Sequence, residues 1–268
     1  MTGSGNDFVM LDGRVTTPDD WTVADIRSVC ARGTGIGADG LVFVWPTPNS
    51  SQPGARMVYF NSDGSRAAMC GNAALCSTRF AALLAIAPPE LMRLETDAAT
   101  YESRSTADGE RAELHLATVA APTEPAVRLG PGERRVGLAV VGVPHLVVVV
   151  EDLEAVDLPR RGRELRFDAA LGNGGANVNF IAPTAKRSVW AMRTYERGIE
   201  AETLACGTGA VAAACLLREW RLADLPATIM TRSGLPLEIR AERSRDGRYQ
   251  EVWLEGQARL VFRGVLTS

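Results

Sequence analysis

Apolar residues in this chain fall mostly into short β-branched or alternating runs, and only a few stretches carry helical spacing. The segments 57–60, 147–150, 237–240 and 252–254 are runs of this kind and predict strands. Glu113-Leu114-His115-Leu116 alternates polar and apolar positions, which predicts a further strand and gives His115 a structural place. Thr22 with Asp25 three residues on forms a capping box. Val23, Ile26 and Val29 follow at helical spacing and Gly33 supplies a stop, so a helix is expected between them. Two alanine-rich stretches, 72–84 and 208–220, predict longer helices. Proline, glycine and polar residues mark 45–54 as a surface loop and 120–134 as a link between two halves. Asp246-Gly247, between alternating segments, reads as a hairpin turn. Many short strands around one principal helix per half predict an α+β fold. Gly35-Ile36-Gly37-Ala38-Asp39-Gly40 has the spacing of a dinucleotide fingerprint, but it leads into a strand-like run instead of a helix and is set aside.

Three pieces of sequence recur in the same order. Gly5-Asn6-Asp7-Phe8-Val9 corresponds to Gly142-Val143-Pro144-His145-Leu146, each followed by an acidic turn. The run that begins at Gly37 corresponds to the one at Gly175, and Cys70-Gly71-Asn72 to Cys206-Gly207-Thr208. The separations are 137, 138 and 136 residues. Three matches in register predict an internal duplication, and so two similar domains.

Composition narrows the chemistry. The net charge is −3 and the arginines are scattered, so neither nucleic acid nor an anionic membrane finds an electrostatic footprint. The longest apolar run, around 146–150, is far too short to span a bilayer, and no basic segment precedes an apolar one at the N-terminus. A cytoplasmic location is the expectation. Five cysteines, an odd number, argue against a disulfide framework. No Cys-x-x-Cys pair or histidine cluster has zinc spacing, so no metal is expected. Lys186 is the sole lysine and lies in a loop-like Ala-Pro-Thr-Ala-Lys-Arg stretch, which suits a solvated surface group and not a Schiff base to pyridoxal phosphate. The expectation is an enzyme without a cofactor.

Against that background Cys70 and Cys206 stand out from the other three cysteines. Each precedes a glycine at the predicted first turn of a helix. The first amides of a helix have no internal partner and the dipole favours negative charge there, so a thiol at that point ionises more readily. The following glycine lets a ligand approach the backbone, and the amides of Gly71, Asn72, Gly207 and Thr208 are donors for a carboxylate. Removing the α-proton of an amino acid needs such donors, because charge grows on the carboxylate as the carbanion forms; one well-placed donor contributes about 2.7–4 kcal/mol. Inversion then needs a base on one face and an acid on the other, which two thiols provide. Cys76 and Cys215 lie inside the apolar helices and suit the core, and Cys30 ends the first helix with no assigned role.

At these residues the sequence resembles the diaminopimelate epimerase family, over nearly its whole length. The motifs are Gly5-Asn6-Asp7-Phe8, Gly35 to Gly40, Phe60-Asn61-Ser62-Asp63-Gly64-Ser65, Cys70-Gly71-Asn72, Gly142-Val143-Pro144-His145, Asn177-Val178-Asn179-Phe180, Tyr195-Glu196-Arg197-Gly198 and Glu202 to Gly209. The resemblance implies two pseudo-symmetric domains, each a strongly curved, mostly antiparallel sheet around a central helix. Their bounds would be 1–117 completed by 256–268, and 118–255. It also implies a cytoplasmic homodimer that interconverts the LL and meso forms of diaminopimelate for lysine and peptidoglycan precursors. By motif, Cys70 and Cys206 are the acid/base pair, with His145 and Glu196 as supporting polar residues. Gly71, Asn72, Gly207 and Thr208 hold the reacting carboxylate. Asn6, Asn61, Asn177, Glu196 and Arg197 bind the rest of the substrate, with Arg197 gripping the distal carboxylate.

The chain departs from the family pattern in four places. Val143 replaces a common asparagine and removes a potential hydrogen bond to the distal end of the substrate. Ala73 and Leu75 replace a common glycine and arginine after Cys-Gly-Asn. The opening Met1-Thr2-Gly3 is shorter than the family's first strand, which predicts a weaker edge near Asn6. Two alternatives stay open: an epimerase of the same mechanism for proline or hydroxyproline, and a binding protein without turnover. Tyr195-Glu196-Arg197 argues against the first, since a ring substrate has no distal charges, and paired cysteines argue against the second.

Overall fold

In a computed structural model, which describes residues 1–47, 52–106, 109–186 and 188–266, the apolar run Leu41 to Val44 is buried on both faces, each residue 0 % exposed. Side chains alternate across a strand, so such a run needs cover on both sides. It has it. Leu41 and Phe43 pack with Ile26 and Cys30 of helix α1 (Val23–Cys30), which leaves Val42 and Val44 for the opposite face and helix α2 (Gly71–Leu83). The same two-sided arrangement recurs later in the chain.

The chain divides into two compact units, Met1–His115 with Glu255–Ser268, and Leu116–Leu254. In the first, β1 (Thr2–Gly3), β2 (Asn6–Asp12), β3 (Gly40–Pro46), β4 (Gly54–Asn61), β6 (Met92–Glu95), β7 (Thr100–Ser105) and β8 (Arg111–Leu116) lie side by side in that order. The short β5 (Arg66–Ala67) pairs with β4. Pairings β2·β3 and β4·β6 are parallel, and β1·β2, β3·β4, β4·β5, β6·β7 and β7·β8 are antiparallel. Helix α2 packs against β1, β2, β3, β4, β6 and β7, so it is the unit's central helix.

The second unit repeats this plan. Strands β9 (Glu133–Val141), β10 (Val143–Val150), β11 (Asn177–Pro183), β12 (Val189–Glu196), β14 (Ala227–Met230), β15 (Pro236–Arg243) and β16 (Tyr249–Gln257, of which the part through Leu254 belongs to this unit) follow in spatial order, with β13 (Ala201–Thr203) on β12. β10·β11 and β12·β14 are parallel, matching β2·β3 and β4·β6. Helix α4 (Gly207–Glu219) packs on β9, β10, β11, β14 and β15. Leu146, Val148, Val178 and Phe180 cluster with Leu158 and Leu165 of helix α3 (Leu158–Arg166). Period two then turns His145, Asn177 and Asn179 to the face that α4 covers.

Each run expected as a strand is one, and Asp246-Gly247 turns between β15 and β16, with Ser244 N–H donating to Arg248 O at 2.8 Å. The helices expected over 72–84 and 208–220 begin one residue earlier, because the cysteines themselves are the N-caps. The first helix ends at Cys30, before Gly33. The loop expected over 45–54 is shorter, since β3 runs through Pro46 and β4 starts at Gly54; positions 48–51 lie outside the described residues. The stretch 120–134 lies within the second unit, tied by reciprocal backbone bonds between Thr123 and Leu138. Helix α3 has no counterpart in the predicted elements. Near Asn6 the backbone is paired: Thr2 faces Asp7 and Gly3 faces Asn6, and Thr2 exchanges two 2.9 Å bonds with Arg259.

Candidate active site

Cys70 caps α2 with φ −138° and ψ 121°, and Cys206 caps α4 with φ −134° and ψ 106°. In both, the cysteine carbonyl accepts from the residue four on, Ala74 at 2.9 Å and Ala210 at 3.0 Å. Neither sulfur serves as the side-chain cap of its helix, and the first-turn amides of Gly71, Asn72, Gly207 and Thr208 are donors at the two helix starts. Each helix carries 13 residues and no acidic side chain in its first turn that would compete for an anion. Cys206 is 8 % exposed, with its Sγ 3.8 Å from Thr208 Oγ1, and Cys70 is half-buried. Burial pushes the Cys30 thiol up to about 11 and those of Cys76 and Cys215 up to about 12, so they stay protonated at neutral pH.

In the first unit a chain of amides runs to the α2 start. Arg32 grips Asp7 through two nitrogens, at 2.7 and 2.9 Å, and Asp39 at 2.9 Å. Burial raises the Asp7 pKa, but its bonds to Arg32 outweigh that and hold it below the usual carboxylate range. Asp39 accepts from Asn6 Nδ2 at 2.8 Å, which forces Asn6 Oδ1 to face Asn72 Nδ2, and that bond is 2.7 Å. The last amide oxygen, Asn72 Oδ1, is buried and meets no hydrogen-bond partner among the described residues. Each orientation follows from the one before, ending in a buried acceptor one residue into the helix. Asn61, at the end of β4, spends its side chain locally: it accepts from Tyr59 Oη at 2.9 Å and donates to Ser65 Oγ at 3.0 Å.

The second unit holds His145, Asn177, Glu196 and Arg197. Asn177 Oδ1 accepts from the Arg197 backbone N–H at 2.7 Å, fixing the start of the turn after β12. Strand register places Asn61 opposite Gly40, and extending Val178–Tyr195 by one residue places Glu196 opposite Asn177. Asn61 and Glu196 are thus equivalent positions in the two units, one amide and one acid. His145 is fully buried, and burial together with the nearby Arg197 charge pushes its pKa down to about 3. Among the residues that sequence reasoning left without a role, Arg32 and Asp39 lead through Asn6 to the α2 start, and Asn179 bonds to His145, Leu146 O and Thr194. Asp39 and Asn179 both stood within quoted motifs. Gly209 matters for a different reason: a Cβ there would lie 2.4 Å from Asn179 Oδ1 and 3.2 Å from Cys206 Sγ.

Burial raises the Glu196 pKa, so the fold favours the protonated acid. Stability from this group is complete below the ordinary carboxylate pKa and is lost as pH rises through the raised value. Glu196→Gln is therefore expected to melt higher than the parent at pH 7, with the gap closing near about pH 4. Thermal melts at the two pH values check it; an equal or lower melting temperature at pH 7 contradicts it.

The chain as a whole is similar to known sequences. The family model for diaminopimelate epimerase matches residues 1–120 and 137–261. A diaminopimelate epimerase of Gemmatimonas aurantiaca is 47 % identical, over 100 % of this chain and 98 % of that protein. One from Aquifex aeolicus is 38 % identical, over 100 % of this chain and 96 % of its own length. Among solved structures, a phenazine biosynthesis protein of the PhzF family from Bacillus anthracis superposes with a TM-score of 0.68 at 13 % identity, covering 96 % of this chain and 91 % of that one. At that identity the likeness speaks for the fold alone. With matching along its full length and a cysteine at the start of each central helix, the chain belongs to the diaminopimelate epimerase family.

Proposed function

We propose that this chain epimerises LL-diaminopimelate to the meso form with Cys70 and Cys206 as the acid/base pair, acting as a cytoplasmic homodimer. The observation that carries the mechanism is the recurrence of a cysteine N-cap followed by glycine on two equivalent 13-residue helices. One cysteine, as thiolate, takes the α-proton and becomes a thiol. The other thiol donates a proton to the opposite face and becomes the thiolate, so no proton is gained or lost overall. Amides of Gly71, Asn72, Gly207 and Thr208 hold the reacting carboxylate while charge grows on it. Asn6, Asn61, Asn177 and Glu196 take the ammonium and amide-sized contacts, and the Arg197 guanidinium pairs with the distal carboxylate. Val143 at the start of β10 offers no hydrogen bond, leaving Arg197 to carry more of the distal recognition.

Incubation of LL-diaminopimelate with reduced protein in deuterated water tests the proposal. The expected product is meso-diaminopimelate carrying one α-deuterium per inversion. Parallel incubations with L-proline and trans-4-hydroxy-L-proline should show no exchange. Exchange of either ring substrate without exchange of diaminopimelate would replace this substrate with the other, and no exchange with any of them would overturn the two-thiol chemistry.

A further inference from the structure

His145 and Asn179 stand where the first unit has apolar groups. Phe8 pairs with Gly40 in one unit and His145 with Asn177 in the other, which makes Phe8 and His145 equivalent. Two residues along, Val42 is the counterpart of Asn179, and their partners in the next strand are Tyr59 and Thr194. In the first unit this is an apolar contact: the Phe8 and Tyr59 rings meet edge to face at 5.9 Å and 85°, and Val42 is 0 % exposed. In the second unit the same three positions form a hydrogen-bonded cluster, with His145 and Asn179 each 0 % and Thr194 2 % exposed. Polar side chains are thus not a requirement of the fold at this place, and burying them costs free energy unless each is matched.

The cluster has a definite direction. Leu146 O can only accept, so the amide atom 3.2 Å from it is Asn179 Nδ2. The Asn179 Oδ1 then accepts from Thr194 Oγ1 at 2.9 Å. The same Nδ2 lies 3.4 Å from His145 Nδ1, which must therefore be the nitrogen with the lone pair, and the proton of a neutral ring resides on Nε2. That Nε2 is buried and has no hydrogen-bond partner among the described residues. Asn179 also touches the α4 start, where Gly209 alone gives it room beside Cys206.

We propose that Asn179 is a positioning residue that holds His145 in the tautomer protonated at Nε2, so that the ring offers bound substrate an N–H donor and no basic nitrogen. Its Nδ1 is taken by Asn179, and burial keeps the ring neutral. His145 then supports charge on an anionic group without competing for the protons that the thiols move. The role in turnover rests on the epimerase reading; the tautomer does not.

The chain has 2 histidines, which makes the test direct. In protein labelled with ¹⁵N-histidine at pH 7, with His115→Gln to assign the signals, the protonated nitrogen of His145 should be the one coupled to both ring carbon-bound protons, Nε2. Asn179→Asp places an acceptor where the amide NH₂ was and should move the proton to Nδ1. If that variant does not fold, Thr194→Val, which removes the hydroxyl bonded to Oδ1, should give a mixture of tautomers. On the epimerase reading Asn179→Asp also lowers kcat by about 10-fold or more while KM stays within about twofold. A wild-type ring protonated at Nδ1 or at both nitrogens overturns the proposal, as does an Nε2 proton that persists in Asn179→Asp. A raised KM at unchanged kcat overturns the positioning role alone, and absent activity in the parent removes only the kinetic arm.

Discussion

Replacing either Cys70 or Cys206 with alanine should lower kcat/KM for LL-diaminopimelate by about 100- to 10,000-fold, the range that a positioned acid or base contributes. Both residues are needed because a single thiol serves only one face of the α-carbon. The sharper expectation concerns exchange without inversion. One variant should wash deuterium into the LL isomer only, the other into the meso isomer only, since each keeps a base for one face. Substrate affinity should change little, because the proposed carboxylate donors are backbone amides and alanine leaves the helix starts intact. Combining both substitutions should cost scarcely more than one, as residues that act as a unit are not additive. Inversion at the parent rate in the double variant would contradict the two-thiol mechanism. Isotope exchange followed by mass spectrometry, alongside a chiral separation, distinguishes these outcomes.

Arg193→Met should be the most destabilising single change near the site, by about 3–5 kcal/mol, as for other buried ion pairs broken on one side. Arg193 is 9 % exposed. Its guanidinium meets both oxygens of Glu202, at 2.7 and 2.9 Å, and donates to Leu153 O at 2.7 Å and Val156 O at 3.2 Å. One side chain thereby ties β12 to β13 and to the turn after β10, and β13 leads directly to Cys206. Methionine fills much of the volume but leaves two carbonyls and a carboxylate without that donor. A drop in melting temperature of about 10 °C corresponds to this loss in a chain of this size. Arg193→Lys should fall between, since an ammonium cannot span all four acceptors. Hydrogen bonding to Arg193 lowers the Glu202 pKa, so the stability it contributes is present above the ordinary carboxylate value and fades as pH falls through the depressed one. The Arg193→Met deficit should accordingly shrink in acid. A melting temperature unchanged at pH 7 would contradict the assignment.

Which parts of this were legible in the sequence depends on how each residue announces itself. The α+β character was plain from short alternating runs, and the duplication from paired glycine and cysteine motifs, because both are local patterns. The register between the halves was less so. Matching Gly37 with Gly175 misses the strand alignment by one residue, which only the pairing of Phe8 with Gly40 and His145 with Asn177 reveals. Helix α3 was hidden by its composition. Arginines outnumber apolar residues in Leu158–Arg166, and Pro159 and Gly162 look like breakers. Pro159 sits in the first turn, where its missing N–H is no loss, and Gly162 is demanded by packing, since a Cβ there would come within 2.6 Å of Tyr195. Asn179 was disguised in another way. Asn177-Val178-Asn179-Phe180 alternates like a strand with one wet face, yet a helix covers both sides of it, so the asparagines turn inward. The Arg32–Asp7–Asp39 cluster needed contacts between β2, β3 and the end of α1 that spacing alone does not supply.

The two units also differ in how the chain visits them. The second is one continuous stretch, Leu116–Leu254, whereas the first takes Glu255–Ser268 from the far end of the chain. That returning segment supplies the Glu255 carboxylate for Arg111, a hydrogen bond from the Ala258 N–H to Glu110 O, and the Arg259 partner of Thr2. During synthesis from the N-terminus, every residue of the second unit is made before the first has its closing segment. The half translated earliest is therefore the half completed last, and the thiol it carries, Cys70, waits on residues made after Cys206 already has its whole unit.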